Sequence, residues 1–362
     1  MSIESALVSV YVVPTDRPEA DGTFEWDRTT VVAVRLREAG EEGLGWTYAP
    51  RAAAGVIDEL LAPVVVGRDG LDIPAAHAAM RRALRNAGAT GIGAAALSAV
   101  DIALWDLKAR RLGIALSSLL GRVRDAVPVY GSGGFTSYDE ETMRRQLDGW
   151  LEHGIGDVKI KIGESRGTAV ERDLTRVRVV RETIGDRAGL FVDANGGYSV
   201  GQARRVEVAL RDQGVSWFEE PVSSDDPHGL AAVRMGSRAD IAAGEYGWRI
   251  TDFTALLDAE AVDCLQADVT RCGGVTGWLA AAGLAAARGL EISAHCAPRL
   301  SAHVAVAAAN CRHLEYFHDH VRIEQMLFDD VLPLDAAGSL APDAGRPGHG
   351  MRIRAEAEEW RR

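Results

Sequence analysis

Seven ionisable side chains recur in this chain at close to the interval of one strand-plus-helix unit. Lys161, Asp193, Glu219, Glu245, Asp268, His295 and Glu315 follow one another by 32, 26, 26, 23, 27 and 20 residues. Each closes a short apolar run, as in VKIK, LFVD, WFE, AAGE, CLQAD, EISAH and HLE. A carboxylate buried at a strand end costs several kcal/mol unless a cation, a metal or hydrogen bonds compensate it. Any one of these acids alone reads as a helix cap or an ion-pair partner; seven in register read as the rim of one site.

Asp193, Glu219 and Glu245 fall on consecutive strands and form an oxygen-only ligand set. Hard oxygen donors without paired histidines or cysteines select Mg2+ rather than zinc. Asn195 shares a strand face with Asp193, and Lys159 shares one with Lys161, because side chains two apart in a strand point the same way.

Of the 40 basic residues only Lys108, Lys159 and Lys161 are lysine, which leaves 40 − 3 = 37 arginines. In such an arginine-biased chain, a lysine marks a place where a group able to lose its proton is needed. The neighbouring ammonium of Lys159 and an adjacent divalent cation are expected to lower the Lys161 pKa toward neutrality and make it a base. On the other flank, Asp268 and His295 stand on neighbouring strands, where the carboxylate can orient the imidazole and stabilise its protonated form.

The elements that must carry these residues are strand-like runs at 127–130, 157–162, 190–195, 216–220, 241–245, 264–268, 290–295 and 313–317. Helix-period stretches, for example 140–152, 168–183, 201–213 and 275–288, lie between them. Eight alternating units predict an α/β fold, a TIM-like (β/α)8 barrel over residues 126–330, with active-site groups at the C-terminal ends of its strands. Residues 1–125 predict a separate α+β domain, with strands at 6–13 and 29–37 and helices at 52–61, 75–84 and 94–111. The polar segment 14–27 between those two strands predicts a long functional loop that carries Trp26. Residues 331–362, rich in Gly, Pro and Ala, predict a tail that packs back on the first domain.

The bulk numbers set the class. A formal net charge of -12 excludes a phosphate-backbone binder. No apolar run is long enough to span a bilayer, and MSIESALVSVYVV lacks a signal-peptide pattern, so a cytoplasmic protein is expected. Cys264, Cys272, Cys296 and Cys311 form no CxxC pair and read as reduced and buried. The expected partner is a small-molecule carboxylate rather than nucleic acid or membrane, and the chain is expected to assemble as a homo-oligomer.

KIK, VDANGGY, FEEP, GE, QAD followed by CGGVTGW, SAH and LEY, together with ALWDLKARRLG at 103–113, occur in an order that resembles the mandelate racemase subgroup of the enolase superfamily. The resemblance spans about residues 90–320 in motif detail. It implies Asp193, Glu219 and Glu245 as Mg2+ ligands and Lys161 as one proton-transfer residue. His295 with Asp268 would be the opposite acid/base, Lys159 would support the substrate carboxylate or tune Lys161, and Glu315 would hydrogen-bond that carboxylate. Superfamily enzymes of this kind remove the proton beside a carboxylate to give an enediolate. Glu245 and Asp268, where dipeptide epimerases and muconate-cycloisomerising enzymes carry Asp and Lys, point to the racemase and acid-sugar dehydratase branch. The resemblance further implies that the N-terminal domain caps the barrel, that residues 14–27 close over the substrate, and that Trp26 shapes the pocket. The leading expectation is dehydration of an aldonate or aldarate to a 2-keto-3-deoxy acid. Racemisation or epimerisation of a 2-hydroxy acid is the alternative, and an inactive barrel that only binds is the reading from a different class.

The remaining signals read as structural. The glycines at 91–93 open an Ala-rich helix, not a dinucleotide site, and the GSGG at 131–134 reads as a close-approach loop at the barrel mouth. His77, His153, His228 and His349 read as solvated, His303 as a helix-face residue, Lys108 as exposed, and His318 and His320 as an exposed loop.

Overall fold

The computed structural model describes residues 1–362. Its first three strands, β1 (Ser5–Ala20), β2 (Glu25–Glu38) and β3 (Glu41–Tyr48), form an antiparallel sheet with β2 in the centre. Successive side chains of a strand face opposite sides, and β2 uses both. Val32, Val34 and Leu36 join a core with the helices Ile73–Ala83 and Ile92–Arg111, whereas Val31 and Ala33 join the core of the second domain. The sheet is thereby fixed between its own helices and the barrel.

The segment at 14–27 is not a long loop. β1 continues to Ala20 and β2 begins at Glu25, so the hairpin extends through most of it. Pro14 pairs with Arg28 and Glu19 with Trp26, leaving four residues, 15–18, opposite Asp27 alone. A bulge therefore absorbs the polar and proline-containing residues that read as loop. The turn itself is short: Asp21 Oδ1 accepts the backbone N–H groups of Thr23 and Phe24 at 2.5 and 2.8 Å.

β3 had no counterpart among the sequence expectations, because glycines are depleted in strands. Here they are required by packing. A Cβ on Gly45 would collide with the carbonyl of Ala99, and one on Gly43 with that of Ala103, both on the helix Ile92–Arg111.

The remaining strands are β4 (Val127–Gly133), β5 (Asp157–Lys161), β6 (Gly189–Asp193), β7 (Val215–Glu219), β8 (Asp240–Ala243), β9 (Cys264–Ala267), β10 (Glu291–Ala294) and β11 (Cys311–Phe317). All eight are parallel, each pairs with the next, and β11 closes the barrel on β4 with Leu314 opposite Val129. The GSGG segment corrects to strand through Gly133; a Cβ on Gly131 would strike the Trp150 ring, so glycine lets β4 pass that side chain. The barrel interior holds Tyr130, Phe191, Trp217, Ala242 and Cys264 as one cluster below the mouth. A final segment returns along the molecule: Ser339–Leu340 pairs with β4, Ala115 bridges Gly348, and Tyr11 bridges Arg361. No helix is long and apolar enough to cross a membrane.

Candidate active site

Strand register sets Lys161, Asp193 and Glu219 in one row, each opposite the next at the C-terminal ends of β5, β6 and β7. Glu245 follows β8 by two residues. Asp268 and His295 are the first residues past β9 and β10, whose last residues, Ala267 and Ala294, are paired. Glu315 lies within β11 opposite Tyr130. The barrel thus brings all seven expected groups to one mouth. All are buried, none more than 5% exposed.

Their charges interlock. Lys159 Nζ donates to Glu219 Oε1 and Oε2 at 2.8 and 2.7 Å and lies 2.8 Å from Glu315 Oε1. Lys161 Nζ donates to Asp193 Oδ2 at 2.5 Å. His295 Nδ1 donates to Asp268 Oδ2 at 2.8 Å, while Nε2 faces Glu245 Oε2 at 2.5 Å and Glu315 Oε2 at 3.3 Å. Burial pushes the imidazole pKa down, but Glu245, Glu315 and the hydrogen bond to Asp268 outweigh it and hold the pKa well above its ordinary value.

The lowering expected for the Lys161 pKa requires a divalent cation beside it. In the protein alone burial lowers its pKa and Lys159 adds to that, yet Asp193, Glu315 and Glu245 together outweigh both and stabilise the ammonium. The like charge of Lys159 is largely spent on Glu219 and Glu315.

The donor set fits a hard divalent cation. Burial raises the Glu219 pKa to about 7 despite Lys159. Two further oxygens, Asn195 Oδ1 and Glu220 Oε1, are buried without a hydrogen-bond partner. Glu220 escaped the sequence reading because strand alternation turns it away from Glu219. It lies one residue past the strand at φ 36°, a left-handed conformation that breaks the alternation, and is itself buried. The second acid of FEEP was the available signal. Asn195 likewise stands in a turn past the end of β6, at φ 44°, with its N–H donated to Asp193 Oδ1 at 2.8 Å.

A cavity of about 400 Å³ opens onto this mouth, with Lys161, Asn195, Glu245 and His295 on the barrel side. The first domain contributes Asp21, Phe24, Trp26, Thr29, Tyr48 and Pro50. Gly22 at the hairpin tip rests on the barrel: a Cβ there would come within 2.6–2.8 Å of the carbonyl oxygens of Ile162, Ala194 and Gly163. Trp26 is held by Nε1 donating to Glu19 at 2.8 Å and by an edge contact with Phe135.

His320 also lines the cavity, which corrects its reading as an exposed loop residue; it belongs to the helix His318–Leu327. Its ring stacks on Tyr48 with centroids 3.5 Å apart, and its Nδ1 accepts the Ala297 N–H at 3.3 Å. Only its place just past the eighth barrel strand hinted at this. His318 is half-buried and lies 3.2 Å from Asp16 Oδ2. His349 is buried against Trp46, with Nε2 on the Leu44 carbonyl, and so is not solvated. His77 is half-buried beside Asp101 at 3.0 Å, and Lys108 is half-buried and donates to the Leu71 carbonyl. His303 is buried and accepts the Ser117 N–H; His153 and His228 are exposed. All four cysteines are free and buried.

Residues 7–121 match the family profile described as mandelate racemase / muconate lactonizing enzyme, N-terminal domain, and residues 142–357 match the enolase C-terminal domain-like profile. A mandelate racemase/muconate lactonizing enzyme-like protein from Rubrobacter xylanophilus is 48% identical, with a TM-score of 0.95 over 100% of both chains. L-talarate/galactarate dehydratase of Salmonella typhimurium is 31% identical over 99% of this chain and 90% of its own. Its structure with Mg and L-lyxarohydroxamate superposes at a TM-score of 0.91, with 29% identity over 99% of this chain and 93% of that one. The 3,6-anhydro-alpha-L-galactonate cycloisomerase of Streptomyces coelicolor is 32% identical over 96% of each chain. With both domain profiles matched in order and the fold shared along its whole length, this chain belongs to the mandelate racemase/muconate lactonizing enzyme family of the enolase superfamily.

Proposed function

We propose that this protein is a Mg2+-dependent acid-sugar dehydratase, which removes the C2 proton of an aldonate or aldarate and releases the C3 hydroxyl to give a 2-keto-3-deoxy acid. The observation that carries this reading is the placement of two proton carriers, Lys161 and His295, in the wall of one cavity beside a carboxylate cluster. Two strands, β4 and β11, separate theirs on the shorter way round the barrel.

Asp193, Glu219 and Glu245 would hold the metal. When bound, Mg2+ supplies positive charge that stabilises the negative charge developing on the substrate carboxylate. Lys161 accepts or returns a proton at Nζ on one side of C2. His295 does so at Nε2 on the other side, with Asp268 fixing its tautomer through Nδ1 and favouring its charged form. His295 can protonate the departing hydroxyl. Lys159 keeps Glu219 and Glu315 in place, Asn195 contacts the substrate carboxylate, Glu315 hydrogen-bonds it once protonated, and Trp26 bounds the pocket from the hairpin. In the same reading residues 1–125 cap the barrel of 126–330, residues 331–362 brace the cap, and the protein works in the cytoplasm as a homo-oligomer.

Incubation with Mg2+ and a panel of aldonic and aldaric acids should yield 2-keto-3-deoxy acids from at least one member. Absence of such a product throughout the panel overturns the dehydratase reading. The second reading, racemisation or epimerisation, is favoured by the same pair of proton carriers, which needs no leaving group; C2 deuterium exchange without a keto product would select it.

A further inference from the structure

Beside the oxygen cluster stands a different set of donors. Cys296 Sγ lies 3.4 Å from His295 Nε2 and 3.4 Å from Glu315 Oε2, and those two atoms are 3.3 Å apart. Tetrahedral coordination with bonds of about 2.0 Å to nitrogen and oxygen and about 2.3 Å to sulfur separates the ligand atoms by about 3.3–3.6 Å. The three atoms therefore already outline one face of such a tetrahedron.

The surroundings match as well. A metal-bound histidine normally donates its other ring N–H to a carboxylate, and His295 Nδ1 donates to Asp268. Glu315 uses Oε1 for Lys159 and for Ser132, whose hydroxyl donates at 2.6 Å, which leaves Oε2 on the face toward Cys296. The cysteine is fixed in place: its φ is 50°, and its carbonyl accepts from Ser301 Oγ at 2.6 Å. All three donors are buried, and His295 and Cys296 line the cavity, so an ion and a fourth ligand from solvent have a route in.

We propose that His295 Nε2, Cys296 Sγ and Glu315 Oε2 form a second metal site, selective for a borderline-soft divalent cation such as Zn2+ or Co2+, whose occupation withdraws His295 from proton transfer. The inhibitory half of this statement rests on the function proposed above; the metal site does not. Sulfur and imidazole nitrogen distinguish the site from the Asp193, Glu219 and Glu245 set, which offers only hard oxygen. Binding displaces to solvent both the thiol proton and the Nε2 proton that His295 shares with Glu245 Oε2 at 2.5 Å, and then uses lone pairs of thiolate, imidazole and carboxylate, with no oxidation or reduction. A transition-metal ion would thereby switch off an enzyme that runs on Mg2+.

The test uses the full-length protein in excess MgCl2, titrated with ZnCl2 or CoCl2, alongside Cys296→Ser. Cobalt bound to the wild type should produce a thiolate-to-metal charge-transfer band in the near ultraviolet, and the Ser variant should show none. Zn2+ should inhibit turnover of the wild type, and the variant, with inhibition read against its own Zn2+-free rate, should need at least about tenfold more. The absorption spectrum requires no substrate, so it decides the site even if no acid sugar is turned over. Absence of the band in the wild type would place the ions on the oxygen cluster alone and overturn the proposal; a band with equal inhibition of the two proteins would overturn its inhibitory half.

Discussion

His295 Nδ1 meets Asp268 Oδ2 at 2.8 Å across the ends of two paired strands, which leaves Nε2 as the nitrogen on the cavity side. The adjacent ends of β9 and β10 enforce this contact, and it fixes which ring nitrogen is available for proton transfer. Asp268→Asn should therefore bind Mg2+ like the wild type yet lose turnover, because an amide can support the wrong tautomer and does not stabilise the imidazolium. Metal titration compared with kcat separates the two effects.

Glu219→Gln tests the metal reading. Losing one anionic ligand should weaken Mg2+ binding, measured calorimetrically, and reduce activity about a thousandfold, since a metal ion supplies several kcal/mol of charge stabilisation. The circular dichroism spectrum should be unchanged. Wild-type turnover in this variant would remove Glu219 from the site.

His320 makes no hydrogen bond through Nε2 within the protein, while its Nδ1 accepts the Ala297 N–H. The neutral ring therefore carries its proton on Nε2, for which a substrate oxygen in the cavity is the expected acceptor. Burial holds its pKa down at about 3, which keeps it neutral. His320→Phe preserves the stack on Tyr48 and removes the donor, so kcat/KM for an acid sugar should fall about fivefold, the worth of one neutral hydrogen bond. An unchanged kcat/KM would show that the donor meets only water.

Glu19 supplies the pH test. Burial, reinforced by Asp319 and Asp16, raises its pKa to about 9 from an ordinary 4.5. The folded protein therefore holds this proton where the unfolded chain has lost it. The stability linked to it is fully present below about pH 4.5, declines as pH rises, and is gone above about pH 9. Glu19→Gln mimics the protonated form, so its melting temperature should gain on the wild type progressively from pH 5 to pH 9. A constant difference across that range would contradict the assignment.

Gly22→Ala should disturb the seat of the hairpin, because the added methyl meets three barrel carbonyls. KM should rise and protease cleavage near the tip should increase, with little change in melting temperature. Wild-type KM would show that the hairpin tip plays no part in closing the cavity.

The barrel was legible because each of its strands is a short apolar run between helix-period segments, and its rim because charge recurs at each strand end from Lys161 to Glu315. Long-range packing hid the rest. Gly43 and Gly45 disguise β3 until the helix Ile92–Arg111 is laid against them. The hairpin at 14–27 looked like a loop because its bulge collects the polar residues. His320 and His349 lie in polar local sequence, and only contacts with Tyr48 and Trp46, far off in the chain, bury them. Lys159 stands two residues from Lys161, but its charge is directed to Glu219 and Glu315 on other strands, which only the fold reveals.

Solvent-deuterium exchange at C2 of the substrate tests the two-sided proton transfer most directly, because it reads each proton carrier separately. Lys161→Arg keeps the positive charge but cannot accept a proton, and His295→Asn removes the opposite carrier. Each variant should fold, bind Mg2+ and lose exchange with one C2 configuration while retaining it with the other. If Lys161→Arg exchanges at the wild-type rate with substrates of both configurations, Lys161 is only an electrostatic partner and the account of this site is wrong.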